Sequence, residues 1–326
     1  RVPAAAVRGP KLTIAVSMMN TRGAVGMIGE TEDFSLAPQT PAAGEAPVSL
    51  AGDWLYKKGV ALDRSKYPSA ATANLQNMPA SLYNGMVAPL APYGIRGAIW
   101  YQGESNASRS DEYRQLLPAM IAAWRKVWGQ GDFGFGIVQL ANFMKRQTAP
   151  IHSTDTWADL REAQAMACSM PAVGLALALD IGDAADIHPK NKQEVGRRLA
   201  LWALSETYGK KLVFSGPTYR GMTVKGNEAY LDFNHAGKGL ASKEGPLTGF
   251  AIAGADKVFH FAKAEMKGKQ VIVRSEKVAA PEAVRYAWAN NPVCNLVNKE
   301  NLPAVPFRTD TWKRENVKAA PDEQLP

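Results

Sequence analysis

Cysteine is nearly absent from this 326-residue chain: only Cys168 and Cys294 occur. Two thiols cannot build a disulfide framework at this length, and the single bridge they could form does not assign a compartment. Long apolar runs are missing as well. No stretch reaches the ~18 residues of a membrane-spanning helix, because proline, glycine or charge interrupts each candidate. Histidine is scarce, with four residues, and no His-x-x-x-His, Cys-x-x-Cys or EF-hand spacing is present. No metal or other cofactor is therefore expected. No P-loop or dinucleotide glycine fingerprint follows a strand, and the Gly-x-Ser-x-Gly elbow of many serine hydrolases is missing. Basic residues exceed acidic ones, 38 to 30, for a net charge of +8. They are scattered rather than clustered, so nucleic acid is not the implied partner. The chain opens Arg1-Val2-Pro3, with no initiator methionine and no signal-peptide pattern, which points to a start inside a longer precursor.

Apolar residues make up 46% and charged residues 21%, a composition of folded domains, and the length suits about two of them. Residues 11–17 and 48–56 read as strands flanking glycine- and proline-rich connections. Two strands alone cannot bury a core, so residues 1–60 read as the edge of a larger module. Residues 61–80 look irregular. From residue 82 the pattern alternates. Gly97–Tyr101 is a continuous apolar run, as in a strand buried on both faces. Tyr113, Leu116, Leu117, Met120, Ile121 and Trp124 then follow helical spacing, with a kink expected at Pro118. A strand is read at 135–140, a helix at 157–168, a strand at 173–180 and a helix from Pro189 to about Tyr208, stopped by Gly209. This alternation predicts an α/β domain with a mainly parallel sheet over 61–210. Residues 211–310 change to short alternating runs separated by turns, an antiparallel β module. Residues 311–326 read as a flexible tail.

Ligands of open α/β sheets bind beyond the carboxyl ends of the strands. Two segments fall there. In Trp100-Tyr101-Gln102-Gly103-Glu104-Ser105-Asn106 the apolar run stops and polar groups crowd a single glycine; such a turn can aim amide donors at a developing oxyanion. The bland alternative is a polar connection with local capping. The second segment, Asp180 to Pro189, follows a strand and opens a helix. His188 sits there among Asp180, Asp183 and Asp186. A helix N-terminus favours the neutral imidazole that a general base requires, and a nearby aspartate would fix its tautomer. A capping histidine is the bland alternative. His152, His235 and His260 read as structural, in surroundings without carboxylate clusters. Ser105, in the sole Gly-x-Ser, is the one internal nucleophile candidate of that pattern.

Several blocks resemble the sialate O-acetylesterase family, SGNH-type carbohydrate esterases related to acetyl xylan esterases. They are Tyr83-Asn84-Gly85-Met86, Gln102-Gly103-Glu104-Ser105-Asn106, Leu160-Arg161-Glu162-Ala163-Gln164, Asp186-Ile187-His188-Pro189 and Val284-Arg285-Tyr286-Ala287-Trp288. The resemblance covers most of residues 82–310. It implies a three-layer α/β/α fold and a Ser-His-Asp acyl-enzyme route that removes acetyl groups from sugar hydroxyls. It also implies that residues 1–60 close a β-rich insertion. The family's Gly-Gln-Ser-Asn nucleophile block is not found here, so the serine is expected on an N-terminal segment of the same precursor or on a partner chain. By the same resemblance His188 would be the base and Asp186 its acid, with Asp183 in reserve. The usual acid position, three before the histidine, is Ala185. Gln102 and Gly103 would serve the oxyanion and substrate, and Glu104 would order Gln102 or the serine block. Secretion or periplasmic export is the implied location. Two rival readings remain. One is a non-catalytic glycan-binding fragment stacking sugars on Trp100, Tyr101 or Trp288. The other is a glycosidase pair of Glu104 and Asp186, which leaves His188 without a role.

Overall fold

The computed structural model describes Ile14 and residues 34–37, 44–55, 77–321 and 323. It divides into two units, residues 1–74 and 75–326. In the first, β1 (Ser35–Leu36) pairs antiparallel with β2 (Val48–Ser49). The strand expected at 11–17 lies outside the described residues, apart from Ile14. The strand expected at 48–56 is regular only over β2.

The second unit begins with helical turns over 83–90 and then runs strand β3 (Gly97–Trp100), helix α1 (Ser110–Trp128), β4 (Gly134–Val138), α2 (Thr156–Met166), β5 (Val173–Ala176) and α3 (Lys192–Trp202). The strands form a parallel sheet in the order β3-β4-β5. Alternation along β4 separates its two faces. Phe135 and Ile137 enter a core with Leu117 and Ile121 of α1 and Leu160 and Ala163 of α2. Gly134 and Gly136 face α3, where the Trp202 and Leu199 side chains fill the space that a Cβ would take. Gly174 of β5 lies under the same indole, and any side chain there would collide with it. Two helices thus cover one face and one helix the other, giving the three-layer α/β arrangement. Pro118 is accommodated inside α1; its missing N–H leaves the Arg114 carbonyl without the usual helical donor.

One expectation for the sheet fails. β3 has the apolar composition of a strand covered on both faces, yet Ile99 is 69% exposed. Among the described residues β3 pairs only with β4, so composition was matched to a cover that those residues do not supply.

The β module contains β6 (Thr218–Lys225), β7 (Glu228–Asn234), β8 (Leu240–Ser242), β9 (Phe250–Ala253), β10 (Val258–Phe261), β11 (Lys263–Lys267), β12 (Gln270–Arg274), β13 (Ala283–Tyr286), β14 (Leu296–Asn298), β15 (Phe307–Arg308) and β16 (Lys318–Ala319). One sheet is ordered β11-β12-β7-β6, a second β15-β13-β9-β10-β16, and β14 pairs antiparallel with β8 in a third. Leu231, Val271 and Val273 of the first share a core with Phe250, Ile252, Val284 and Tyr286 of the second. The segment expected as a flexible tail is instead built in through residue 321. β16 pairs parallel with β10, and Trp312, Val317 and Ala319 pack against Phe259, Ala253 and Ala283. Its polar composition hid three well-spaced apolar anchors. Among the described residues no helix is long and apolar enough to cross a membrane.

Candidate active site

The connections leaving β3 and β5 lie at the carboxyl ends of the parallel strands. Leaving β3, Gln102 is held from three sides. Its side-chain oxygen accepts from the Tyr113 hydroxyl at 3.1 Å, and its Nε2 donates to Asn106 Oδ1 at 2.8 Å. Its backbone carbonyl accepts from Gln164 Nε2 at 3.0 Å. Gln164 is fully buried on α2 and its Oε1 also accepts from the Leu140 N–H at 3.0 Å. The turn itself needs glycine: Gly103 has φ 150°, and a Cβ there would lie 2.7 Å from Leu160 Cδ2. Asn106 takes one of the two Gln102 amide protons; among the described residues the other has no acceptor. It is the donor this turn can offer to an anion.

Glu104 opens the short 3-10 helix Glu104–Arg109. Among the described residues it makes no hydrogen bond to Gln102, so the ordering role expected of it within this loop falls to Tyr113 and Asn106. Its charge acts on the phenols instead. Burial, and then Glu104, push Tyr101 up to about 12 and raise Tyr113. Ser105 is exposed and takes no part in the bonds that fix this turn.

Leaving β5, the three aspartates separate into distinct roles. Asp180 is gripped by Arg198 of α3, whose Nη1 and Nη2 donate to its two oxygens at 2.6 and 2.9 Å. Arg198 is buried and also donates to the Leu177 carbonyl. Burial opposes ionisation of Asp180, but Arg198 outweighs it and holds the carboxyl below its ordinary range. Asp183 accepts from the Ala185 N–H at 2.8 Å and so closes its own turn. Asp186 is the carboxylate at His188: its Oδ1 lies 3.2 Å from His188 Nδ1 and accepts the His188 backbone N–H at 2.9 Å. That backbone bond is the main cause of the lowered Asp186 pKa, which the imidazole contact reinforces. The His188 side chain is 86% exposed. With Nδ1 facing Asp186, Nε2 is free to exchange a proton with a molecule arriving from outside.

The two connections are neighbours. Lys192 Nζ, in the first turn of α3, sits 4.7 Å above the Tyr101 ring. Ile187 packs against the core that holds Leu140 and Leu160, and Tyr101 and Ile181 pack against another cluster in common. Asn191 caps α3 by accepting the Glu194 N–H.

Two readings of other residues need correction. His152 and His260 do have carboxylate partners, Asp155 at 3.5 Å and Glu323 at 2.6 Å. Trp288 offers no stacking face: it is 5% exposed, and the Arg285 and Arg308 guanidinium groups lie 5.5 and 5.3 Å from its ring. Tyr113, Gln164 and Arg198, which organise the site, were given no site role from sequence. A signal existed. Gln164 and Arg161 follow Trp157 and Leu160 at helical spacing, so they are polar residues on the buried stripe of α2. Among the described residues no group of three or more metal-ligating side chains converges.

Residues 69–205 match the family model described as carbohydrate esterase, sialic acid-specific acetylesterase. Over 69% of its length the chain is 28% identical to sialate O-acetylesterase of Rattus norvegicus and 29% identical to that of Homo sapiens. It covers 46% and 48% of those proteins, so it spans about half the length of the curated relatives it matches. A crystal structure of a carbohydrate acetylesterase from Xanthomonas citri aligns with a TM-score of 0.69 at 45% identity. That alignment covers 74% of this chain and 57% of the other.

Proposed function

We propose, from the match of residues 69–205 to the family model of sialic acid-specific acetylesterases, that this chain is a carbohydrate esterase of that kind and carries the acid–base half of a sugar O-acetylesterase site. The observation that carries this reading is the Asp186–His188 contact of 3.2 Å with the second ring nitrogen turned outward. His188 Nε2 takes the proton of a serine hydroxyl as its oxygen attacks the acetyl carbonyl. Asp186 holds the imidazole in the Nδ1–H tautomer and stabilises the imidazolium that forms. The carbonyl oxygen becomes an oxyanion and receives the spare Gln102 Nε2–H. Collapse of this intermediate expels the sugar oxygen, which His188 protonates. Water, deprotonated by the same nitrogen, then releases acetate from the acyl-serine.

The nucleophilic serine in this reading lies outside the described residues, on an N-terminal segment or a partner chain. Two facts support that: no described serine hydrogen-bonds to His188, and the Gly-Gln-Ser-Asn block does not occur in the sequence. The substrate class is an acetylated sugar, either sialic acid or a xylan-type ester. The test is release of acetate from both by the complete enzyme, with His188 intact and with His188→Ala. Equal turnover by the two proteins overturns the proposal.

A further inference from the structure

The α/β layer and the β module meet at a fully buried cation. Arg161 of α2 is 0% exposed and its hydrogen bonds go to carbonyl oxygens. Its Nε donates to Leu140 at 2.8 Å and its Nη2 to Ala141 at 2.7 Å, both in the connection leaving β4. Nη1 donates to Ala289 at 2.7 Å and Nη2 also to Asn290 at 2.9 Å, both beyond β13 of the β module. Burial pushes the guanidinium down to about 9. A charged group held this way fixes the two backbones against each other, since every displaced carbonyl would leave a buried donor unpaired.

What the fixed backbones carry is informative. Asn291, next in sequence and 6% exposed, accepts from Asn142 Nδ2 at 3.1 Å and donates to the Met144 carbonyl at 2.8 Å. Asn142 Oδ1 in turn accepts the Gly182 N–H at 2.7 Å. The Met144 N–H donates to the Ala184 carbonyl at 3.1 Å. Gly182 approaches Asn142 so closely that a Cβ there would collide with the Asn142 backbone oxygen. Gly182 and Ala184 flank Asp183 and immediately precede the Asp186–His188 turn. Among the described residues that turn is held by its own internal bonds and the apolar seat of Ile187, while its imidazole stands in solvent.

We propose that Asn142 and Asn291 are positioning residues for the Asp186–His188 pair, so that the β module sets the orientation of the base. This rests on the esterase reading of His188 given above. The two amides act in series: Asn291 holds Asn142, and Asn142 holds the start of the histidine loop. In this arrangement they act through the loop rather than on the reacting atoms. Losing either one loosens the loop without altering its chemistry.

The test has two arms. In the first, amide hydrogen exchange is followed on this chain. Asn142→Ala and Asn291→Ala should both speed exchange over residues 182–188 at least about tenfold, leaving the strands β4 and β7 as protected as before. In the second, the complete enzyme is assayed on an acetylated sugar. Small misplacements remote from the chemistry cost up to about 10²-fold, so kcat should fall about 10- to 10²-fold with KM changed less than about twofold. Asn142→Asp keeps the acceptor for Gly182 and should retain more kcat than Asn142→Ala. If either alanine variant fails to fold, Asn142→Asp and Asn291→Asp carry the same comparison. Unchanged exchange over 182–188, or a KM effect with kcat intact, overturns the proposal. The two readings fail separately: full activity of His188→Ala overturns the esterase assignment, while the exchange arm still decides whether these amides hold the loop.

Discussion

The two connections at the carboxyl ends of the parallel sheet are built in opposite ways. The Gln102 turn is locked. A buried glutamine, a buried tyrosine and an obligatory glycine each constrain it, and its amide has one proton left to give. The His188 turn is lightly held. Its imidazole is almost wholly in solvent and its aspartate is 40% exposed. A group that stabilises a developing charge works best when it cannot reorganise. A group that must pick up a proton and return it at another atom needs access instead. The difference between the turns matches the difference between those two tasks, and it can be broken by removing the chemistry of one side at a time.

Removing the proposed proton carrier should do most. His188→Ala in the complete enzyme is expected to lose on the order of 10⁴-fold in kcat while the protein stays folded, because a side chain this exposed contributes little to the core. Steady-state turnover with circular dichroism as the folding control checks this. Gln102→Ala comes next, at about 10²–10³-fold. The loss should fall on kcat, since in the proposed mechanism the donor acts on charge present only in the transition state. A raised KM at constant kcat would make Gln102 a ground-state contact and dissolve the contrast between the turns.

Asp186→Asn should cost about 10²-fold, below the ~10⁴ of a buried triad aspartate, because water screens a carboxylate that is this open. Its pH dependence has a definite sign. The folded pKa of Asp186 is depressed by the His188 N–H, so its contribution is present above the ordinary aspartate value and is lost as pH falls through the lowered one. The ratio of wild-type to Asp186→Asn turnover should therefore hold steady from neutrality to about pH 4 and narrow only below. Asp183→Asn is the control. A larger loss there would transfer the acid role to Asp183, against the Ala185 contact that occupies it.

Much of this layout was legible from residue order. The β4 and β5 strands, all three helices, and the placing of Gln102 and His188 at strand ends follow from periodicity and from the polar breaks after apolar runs. Residue order alone did not separate Asp186 from Asp180 or Asp183; only the family resemblance named Asp186. Three aspartates in seven positions look alike in sequence, and the choice depends on Arg198 arriving from α3 to claim Asp180. The supports of the Gln102 turn were hidden for a related reason. Tyr113 reads as an ordinary apolar helix position, and its value lies in a hydroxyl that meets Gln102 eleven residues away. The exposure of Ile99 was missed because composition reports what a strand is suited to touch, not which residues cover it.

The smallest effect is expected at Ser105, and it tests the contrast most sharply. Ser105 is the one serine in the Gly-x-Ser pattern, and it sits on the locked turn, so it is the internal rival to a serine supplied from elsewhere. The structure gives that idea little to work with. Ser105 is the second residue of a 3-10 helix, exposed, and takes no part in the network joining Gln102, Tyr113, Asn106 and Gln164. Among the described residues no hydrogen bond joins its hydroxyl to His188, whose Nδ1 faces Asp186. Ser105→Ala should therefore leave kcat for an acetylated sugar within about twofold in the complete enzyme, and this chain by itself should hydrolyse p-nitrophenyl acetate no faster than its Ser105→Ala variant. A fluorophosphonate probe, which bonds covalently to an activated serine, should give no His188-dependent labelling of this chain alone. Stoichiometric labelling mapped to Ser105 and abolished by His188→Ala would place nucleophile and base within one unit and overturn the assignment of the serine to another segment.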